Sequence, residues 1–386
     1  MMKIFTANSF LSIFVFASLA GCASSTSKEK MEFEIRKIWV KAGPEKPQLT
    51  NRRINRMKPV MSDNILIAGN SVDGISAFDS DSGHLIWSLR DLQGVEGGAQ
   101  AFRDRVYFGA SNGRFYCVNI KTGTIIWSFD SKAEILSEPS LNTDDGFIYF
   151  TNAANTLFAL EASTGKQIWN FNRQDTSQFS IRGVAKPVYS NSTLIAAFSD
   201  GSVIQFKPTN GQIVWEQVLN KNKKFHDIDT NPLIIDGQVL VAGYDDKLYS
   251  LQLQTGQIQW KMPPGGYSEL TSAKGLIFYP TTNSEVLAIQ KDTGKIAWKW
   301  SNGQQIAGGV QIYKDMVVFG ESSGLVYFLN MTTGALVGKF EPGRGVFGSV
   351  LADEKKNRIY FISNESNVYS LEAKWKSEFP FPWLKQ

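Results

Sequence analysis

The sequence predicts an all-β protein, an eight-bladed β-propeller of four-stranded blades that is closed by its N-terminal strand. Three observations support this prediction: a block that recurs about every 40 residues, a glycine turn followed by tryptophan in most copies, and incomplete copies at the two chain ends. The 386 residues include 33 glycines and 10 tryptophans, and most of the tryptophans fall in the recurring block. The formal net charge of +4 is too small to indicate a nucleic-acid partner.

Each copy of the block has a short apolar strand, a polar residue, a turn that ends in Thr-Gly or a similar pair, and a second strand with Trp four residues after the glycine. Glycine adopts the positive φ of a tight turn at little cost, and tryptophan can bury a large apolar area between neighbouring blades. Six of the seven copies keep the tryptophan, whereas the seventh has Gly338 in its place. The turn glycines are Gly83, Gly123, Gly165, Gly211, Gly256, Gly294 and Gly334.

Two further strands precede each block. An apolar run such as 105–109 forms the nearer strand, and the more distant strand is often marked by a proline, as at Pro139, Pro187 and Pro232. Four short strands in about 40 residues are typical of one propeller blade.

The two chain ends complete the count of blades. The last copy, 358–372, lacks the strand that carries tryptophan, whereas the N-terminal segment 37–41 supplies such a strand without a preceding turn. We therefore predict that the N-terminal strand joins the last copy in an eighth blade, because this pairing removes an open sheet edge. The alternative is a seven-bladed ring with two loose terminal halves, which would leave two exposed edges.

The N-terminal segment is typical of an export signal. A basic start, Met1–Lys3, precedes an apolar segment at 4–20 that is too short to be a convincing membrane span. It ends in Leu-Ala-Gly-Cys, which resembles the lipobox of bacterial lipoproteins, and this resemblance implies cleavage before Cys22 and acylation of that cysteine. The alternative is an ordinary signal peptide with a chance cysteine.

The predicted organisation is a lipoprotein signal peptide at 1–21, an acylated cysteine with a flexible tether at 22–34, and the propeller at 35–386. The residue after Cys22 is Ala23, and the familiar lipoprotein sorting rule keeps a chain in the inner membrane when aspartate stands there. The resemblance therefore implies a lipid-anchored protein at the periplasmic face of the outer membrane.

No catalytic or metal site is expected from the sequence. The histidines are His84 and His226, and neither has metal-ligand spacing with other donors. We interpret His84 as a solvated edge residue and Cys117, in the apolar run 115–118, as a small buried residue. No Ser/His/Asp or Cys/His constellation for nucleophilic catalysis is evident.

The recurring pattern Ala-x-Asp-x-x-Thr-Gly-x-x-x-Trp is similar to the repeat of pyrroloquinoline-quinone dehydrogenases, and it covers nearly the whole chain. Two families share this repeat: the quinoprotein enzymes and the BamB family of outer-membrane assembly factors. The enzymes carry an adjacent cysteine pair, calcium ligands and an aspartate base, and this sequence has no adjacent cysteines. The lipobox, the length and the predicted eight blades resemble the BamB family instead.

This resemblance implies a non-catalytic scaffold without a cofactor, which binds BamA and the Bam complex, with unfolded outer-membrane proteins as further candidate partners. An alternative is an envelope lipoprotein that binds another partner, such as cell-wall glycan or an envelope enzyme. A quinoprotein oxidoreductase is the third hypothesis, and the missing cysteine pair and calcium ligands argue against it.

The repeat spacing indicates where a partner would bind. The two longest steps between turn glycines are adjacent, and their extra residues fall in 170–186 and 216–231. Both segments connect successive blades on one face, and insertions at such a surface often bring function. The alternative is variation in loop length without a role.

In the BamB family these two connections bind BamA. The matching residues are Phe179, Ile181 and Arg182 in the first connection and Asp227 and Asp229 in the second. Arg182 could instead pair internally with either aspartate and shape the connections, and both roles are compatible. We interpret the apolar C-terminal segment 379–383 as a cap on the propeller, with partner binding as the alternative.

Overall fold

The computed structural model describes residues 32–43, 55–173, 185–219, 227–228, 230–243, 247–303 and 305–376. Every regular element in these ranges is a β-strand, and the 32 strands form eight four-stranded antiparallel sheets. The predicted eight-bladed β-propeller is therefore confirmed. Residues 33–374 form one compact unit; the described part of a second unit consists of Glu32, Trp375 and Lys376. No helix among the described residues is long and apolar enough to cross a membrane.

Strand β1 (Glu32–Lys41) precedes the first four blades, and each blade runs from an inner to an outer strand in sequence order. Blade 1 contains β2 (Val60–Ser62), β3 (Ile65–Gly69), β4 (Ile75–Asp79) and β5 (Leu85–Leu89). Blade 2 contains β6 (Ala99–Phe102), β7 (Arg105–Gly109), β8 (Arg114–Asn119) and β9 (Ile125–Asp130). Blade 3 contains β10 (Ser140–Asn142), β11 (Phe147–Thr151), β12 (Thr156–Glu161) and β13 (Gln167–Asn172). Blade 4 contains β14 (Val188–Ser190), β15 (Thr193–Ala197), β16 (Ser202–Phe206) and β17 (Ile213–Val218).

The remaining blades follow the same order until the last. Blade 5 contains β18 (Leu233–Ile235), β19 (Gln238–Ala242), β20 (Leu248–Gln252) and β21 (Ile258–Met262). Blade 6 contains β22 (Thr271–Ala273), β23 (Leu276–Pro280), β24 (Val286–Gln290) and β25 (Ile296–Trp300). Blade 7 contains β26 (Gln311–Tyr313), β27 (Met316–Gly320), β28 (Val326–Asn330) and β29 (Leu336–Phe340). Blade 8 contains β30 (Leu351–Asp353), β31 (Arg358–Ile362) and β32 (Val368–Lys376), with β1 outermost.

The two middle strands of each blade form the core. In blade 3, β11 is buried from Ile148 to Thr151 and β12 from Thr156 to Leu160. This pattern differs from the alternation expected of a half-buried strand, because both faces of each sheet pack against neighbouring blades. A continuous apolar run, rather than alternation, is therefore the rule for these strands.

The tryptophan of one blade packs on the turn glycine of the next. A Cβ atom added to Gly123 would lie 2.7 Å from Trp87 Cδ2, so no larger residue fits there without a shift. The indole Nε1 of Trp87 also donates to the Ile120 carbonyl at 2.7 Å. The same contacts join Trp127, Trp169, Trp215 and Trp298 to the following blades. These are the inter-blade contacts that the sequence pattern predicted for tryptophan.

The seam between blades 5 and 6 lacks one of these contacts. Among the described residues, Trp260 is the one tryptophan whose buried Nε1 has no hydrogen-bond partner. A Cβ atom at Gly294 would be 3.3 Å from its ring, so the packing is also less close here than at Gly123.

The N-terminal strand closes the ring. β1 pairs with β32, and Trp39 of β1 packs on Gly83 of blade 1 in the same way as the other tryptophans. The predicted closure is therefore seen. The strand begins at Glu32, so residues 32–34 lie in the sheet although the sequence placed them in the tether.

In blade 7 the large and the small residue of one cross-strand pair have changed places relative to the other blades. In the other blades tryptophan faces a smaller residue, such as Ala77 opposite Trp87. In blade 7 Phe328 stands opposite Gly338. The ring of Phe33, from β1, lies 5.4 Å from that of Phe328, and a Cβ at Gly338 would lie 3.0 Å from Phe33. The missing tryptophan thus makes room for the closing strand.

Candidate functional site

Most of the sequence-predicted functional residues lie outside the described residues. These are Cys22, Phe179, Ile181, Arg182 and Asp229. Asp227 is described, and its side chain is only 1% exposed. This burial favours an internal role for Asp227 in shaping the second connection over direct contact with a partner.

The end of the second connection is attached to blade 5. Ile228 forms an isolated bridge with Gly243, and the Thr230 hydroxyl accepts from the Ala242 amide at 2.6 Å while it donates to the Ala242 carbonyl at 3.2 Å. The bonded residues are all buried, so these contacts persist without competition from water. The connection therefore enters blade 5 from a fixed position.

The start of the first connection is held by an arginine that the sequence did not single out. Arg173 Nε donates to Asp200 Oδ2 at 2.5 Å, and its NH2 group donates to Glu216 Oε1 at 2.7 Å. Partial burial works against its charge, but the two carboxylates outweigh that effect and raise the pKa of Arg173. These two ion pairs join the end of blade 3 to blade 4 at the base of the first connection.

The ends of the two connections are bonded to each other. The Lys186 amide donates to Asn231 Oδ1 at 2.8 Å, and the Thr151 hydroxyl donates to the Ala185 carbonyl at 3.1 Å. Lys186 Nζ also pairs with Glu138. Burial alone would lower the pKa of Lys186, but the Glu138 carboxylate raises it, so the ammonium stays charged. The described ends of both connections are thus held in place on one face of the propeller, and we call them the rigid base.

Polar side chains from the starts of the inner strands form a belt around the propeller axis. We use the term axial belt for seven residues, six of which stand two positions before an inner strand, with Gln311 as the seventh. They are Lys58, Glu138, Lys186, Asn231, Glu269, Gln311 and Ser349. Gln311 accepts from Lys58 Nζ at 2.9 Å and donates to Glu269 Oε2 at 3.0 Å, and the Ser349 hydroxyl donates to the same oxygen at 2.7 Å. The remaining residues of the axial belt are Glu138, Lys186 and Asn231.

A cavity of about 320 Å³ adjoins the belt on the side of blades 2 to 6. Its polar lining includes Gln100, Lys186, Asn231 and Glu269. Lys186 and Glu269 already have partners in the belt, and no group of three or more His, Cys, Asp or Glu in the described ranges is placed to hold a metal ion. The hydrogen bonds and ion pairs of the belt therefore join separate blades to one another.

The buried thiol at Cys117 is also unsuited to covalent chemistry. Burial raises its pKa to about 11, and the nearby Arg105 guanidinium offsets only part of this effect. The thiol is therefore protonated near neutral pH, and the thiolate is the reactive form. Its 0% exposure confirms the interpretation of Cys117 as a small buried residue. His84 is exposed, as expected.

A buried carboxyl group lies on the same face as the two connections. Glu321 follows β27, is 1% exposed, and accepts from Asn302 Nδ2 at 2.6 Å. Burial raises the pKa of Glu321 to about 7, while hydrogen bonds with Asn302 and Tyr327 offset part of that rise. The carboxyl group of Glu321 therefore gains or loses its proton near neutral pH.

Replacing Glu321 with glutamine should stabilise the protein more at pH 8 than at pH 5. The folded state keeps the proton between about pH 4.5 and 7, where the unfolded chain has lost it, so the stability contribution present at low pH is lost as pH rises to about 7. Glutamine stays neutral throughout. Urea denaturation of both proteins at the two pH values measures the difference. The exposed Glu341→Gln variant is the control; an equal effect of Glu321→Gln at both pH values would contradict the prediction.

The model of a protein family described as outer membrane protein assembly factor BamB matches residues 71–300. The chain belongs to the BamB family. It is 24% identical to BamB of Shewanella oneidensis over 384 residues, which cover 92% of this chain and 96% of that protein. It is 25% identical to BamB of Escherichia coli strain K12 over 336 residues, which cover 82% and 84%.

Solved structures show the same fold. The crystal structure of BamB from Moraxella catarrhalis superposes with a TM-score of 0.74 at 18% identity, covering 88% of this chain and all of that chain. A quinohemoprotein alcohol dehydrogenase from Comamonas testosteroni gives a TM-score of 0.66 at 14% identity, covering 87% and 76%. The BamB family thus shares its propeller with enzymes, and the fold alone does not separate the two functions.

Proposed function

We propose that this protein is a non-catalytic scaffold subunit of the outer-membrane β-barrel assembly complex. It acts in outer-membrane protein assembly, as the names of its BamB relatives indicate, and it binds BamA and thereby aids folding and insertion of outer-membrane proteins. A lipid on Cys22, left after removal of residues 1–21, holds it at the periplasmic face of the outer membrane. Unfolded outer-membrane proteins are further candidate partners.

The main structural support is the rigid base shared by the two longest connections. Arg173 holds the start of the first, and Lys186 and Asn231 join the ends of both. A binding surface that is fixed before the partner arrives loses little conformational entropy on binding. A fixed base of this kind favours a docking surface.

Replacing Arg182 by glutamate should abolish capture of BamA from detergent-solubilised envelopes. Arg182 belongs to the predicted contact segment, and reversal of its charge would place repulsion where the guanidinium is expected to bond carboxylate or backbone acceptors. Co-purification of BamA with native and variant protein, measured side by side, tests this. The control is Arg103→Glu, an exposed position at the opposite end of the inner strands.

Equal capture by both proteins would leave the function in place and show that the contact segment is wrong. Absence of BamA with the native protein, under conditions that keep other subunits of the complex together, would contradict the proposed function. An envelope protein or cell-wall glycan would then be the partner to seek.

A further inference from the structure

Three side chains form a stacked layer at one mouth of the propeller axis. The rings of Tyr267 and Phe347 are stacked, with centroids 5.4 Å apart and planes at 17°. The guanidinium carbon of the exposed Arg56 lies 5.6 Å from the centroid of Phe347. We call Arg56, Tyr267 and Phe347 the mouth stack. They come from the starts of blades 1, 6 and 8 and so span nearly half of the ring.

The repeat places the mouth stack directly above the axial belt. Each of its residues stands two positions before a belt residue, and successive side chains on the same face of an extended segment are separated by two positions. The connections between blades end at these positions, so the mouth stack shares a face with Lys186 and Asn231, the described ends of the two connections. The pairs are Arg56 with Lys58, Tyr267 with Glu269, and Phe347 with Ser349.

Blade 7 has two successive glycines here, Gly308 and Gly309, of which Gly309 occupies the belt position, and this lets blades 6 and 8 meet. A Cβ at Gly308 would lie 2.4 Å from the Phe347 carbonyl oxygen, and one at Gly309 would lie 1.8 Å from Ser349 Oγ. Ser349 can therefore reach Glu269 beneath the two stacked rings. The residues two positions after the two rings are thus bonded to each other.

Arg56 has a fixed base as well. The neighbouring Asn55 is buried; its amide donates to the Ser363 carbonyl at 3.1 Å and to the Ser366 hydroxyl at 2.7 Å, and its oxygen accepts from the Ser71 amide at 2.8 Å. The backbone from which Arg56 projects is thus tied to blades 1 and 8. The position from which Arg56 projects is therefore fixed before a partner binds.

The repeat also relates the mouth stack to the predicted partner contacts. Asp229 stands two positions before Asn231, the belt position of blade 5, and so occupies the repeat position of Arg56, Tyr267 and Phe347. Asp229 itself lies outside the described residues. The second connection and the mouth stack therefore share one position of the sequence repeat.

We propose that the mouth stack is a second contact of the partner that binds the two connections, and that it receives a partner loop with a carboxylate next to an apolar side chain. Arginine, tyrosine and phenylalanine are the residue types enriched in the centres of protein interfaces. The guanidinium matches a carboxylate, and the two partly buried rings match apolar atoms. The inference rests on the proposed function, because it assigns a further surface to the same partner.

Arg56→Glu and Phe347→Ala should each weaken binding of purified BamA periplasmic region to the full chain by at least about tenfold. Arg103→Glu is the matched control, because Arg103 lies over Phe102 at 5.0 Å in a similar pair at the opposite end of the inner strands. It should bind within about twofold of the native protein. Circular dichroism melting identifies any variant that fails to fold.

Three outcomes overturn the inference. Native-like affinity of both mouth variants shows that the partner does not reach the axis, while the proposed function stands on the affinity of the native protein. Equal weakening by Arg103→Glu shows a general effect of charge. If the native protein itself does not bind, the proposed function and this inference fail together. If Phe347→Ala unfolds, Arg56→Glu alone decides, since its side chain is exposed.

Discussion

Replacing Trp39 with alanine is expected to lower the free energy of unfolding by about 3–5 kcal/mol, the range for a large aromatic side chain lost from a core. Trp39 is 8% exposed, packs on Gly83, and donates from Nε1 to the Ser80 carbonyl at 3.0 Å. It is also the residue through which the N-terminal strand holds blade 1. Its loss therefore opens the seam on which closure of the ring depends. Denaturant unfolding of the full chain measures the change.

The internal control is Trp260→Ala. Trp260 has the same place in its repeat, but its Nε1 has no hydrogen-bond partner and its packing on Gly294 is less close. We expect its replacement to cost about 1 kcal/mol less, the typical contribution of one hydrogen bond. A loss at Trp39 no larger than that at Trp260 would show that the hydrogen bond and closer packing of Trp39 add nothing to stability.

Restoring the missing tryptophan, Gly338→Trp, is expected to destabilise the protein by about 3 kcal/mol or more, although it returns the position to the repeat pattern. The space is already filled: a Cβ there would be 2.9 Å from Ile35 and 3.0 Å from Phe33. An indole would have to displace β1 from blade 7. Thermal and urea unfolding both measure the loss.

A double variant separates crowding from other causes. Phe33→Ala removes the ring that stacks on Phe328, so it should cost stability in the native background but recover part of the loss in Gly338→Trp. Additive losses in the double variant would mean that Phe33 and the introduced indole do not compete for the same space.

The repeat made most of the fold predictable. A turn glycine followed by tryptophan specifies a local geometry and an inter-blade contact at once, and Trp87 on Gly123 has both as expected. Closure by β1 was predictable because a strand without a turn at one end matched a missing strand at the other.

The exchange of Phe328 and Gly338 was not predictable in the same way. The sequence showed an absent tryptophan, but its explanation lies in Phe33, about 300 residues away along the chain. Spacing within a repeat reports on neighbours in sequence and says nothing about a strand that arrives from the other terminus.

The sequence predicted that the two long connections share one face, but not the contacts that hold their ends. The contact of Arg173 with Asp200 and Glu216, for example, joins charges whose positions follow no repeat. The burial of Asp227 was also unexpected, because an acidic residue in a long connection is usually solvated.

The outermost strand of blade 8 comes from the start of the chain and its neighbour from the end. Arg36 and Glu372, joined at 3.0 Å across this pair, are 336 positions apart. A chain synthesised in order from its N-terminus therefore holds one half of this pairing early and receives the other half last. The eighth blade cannot be completed until the final strand has been made.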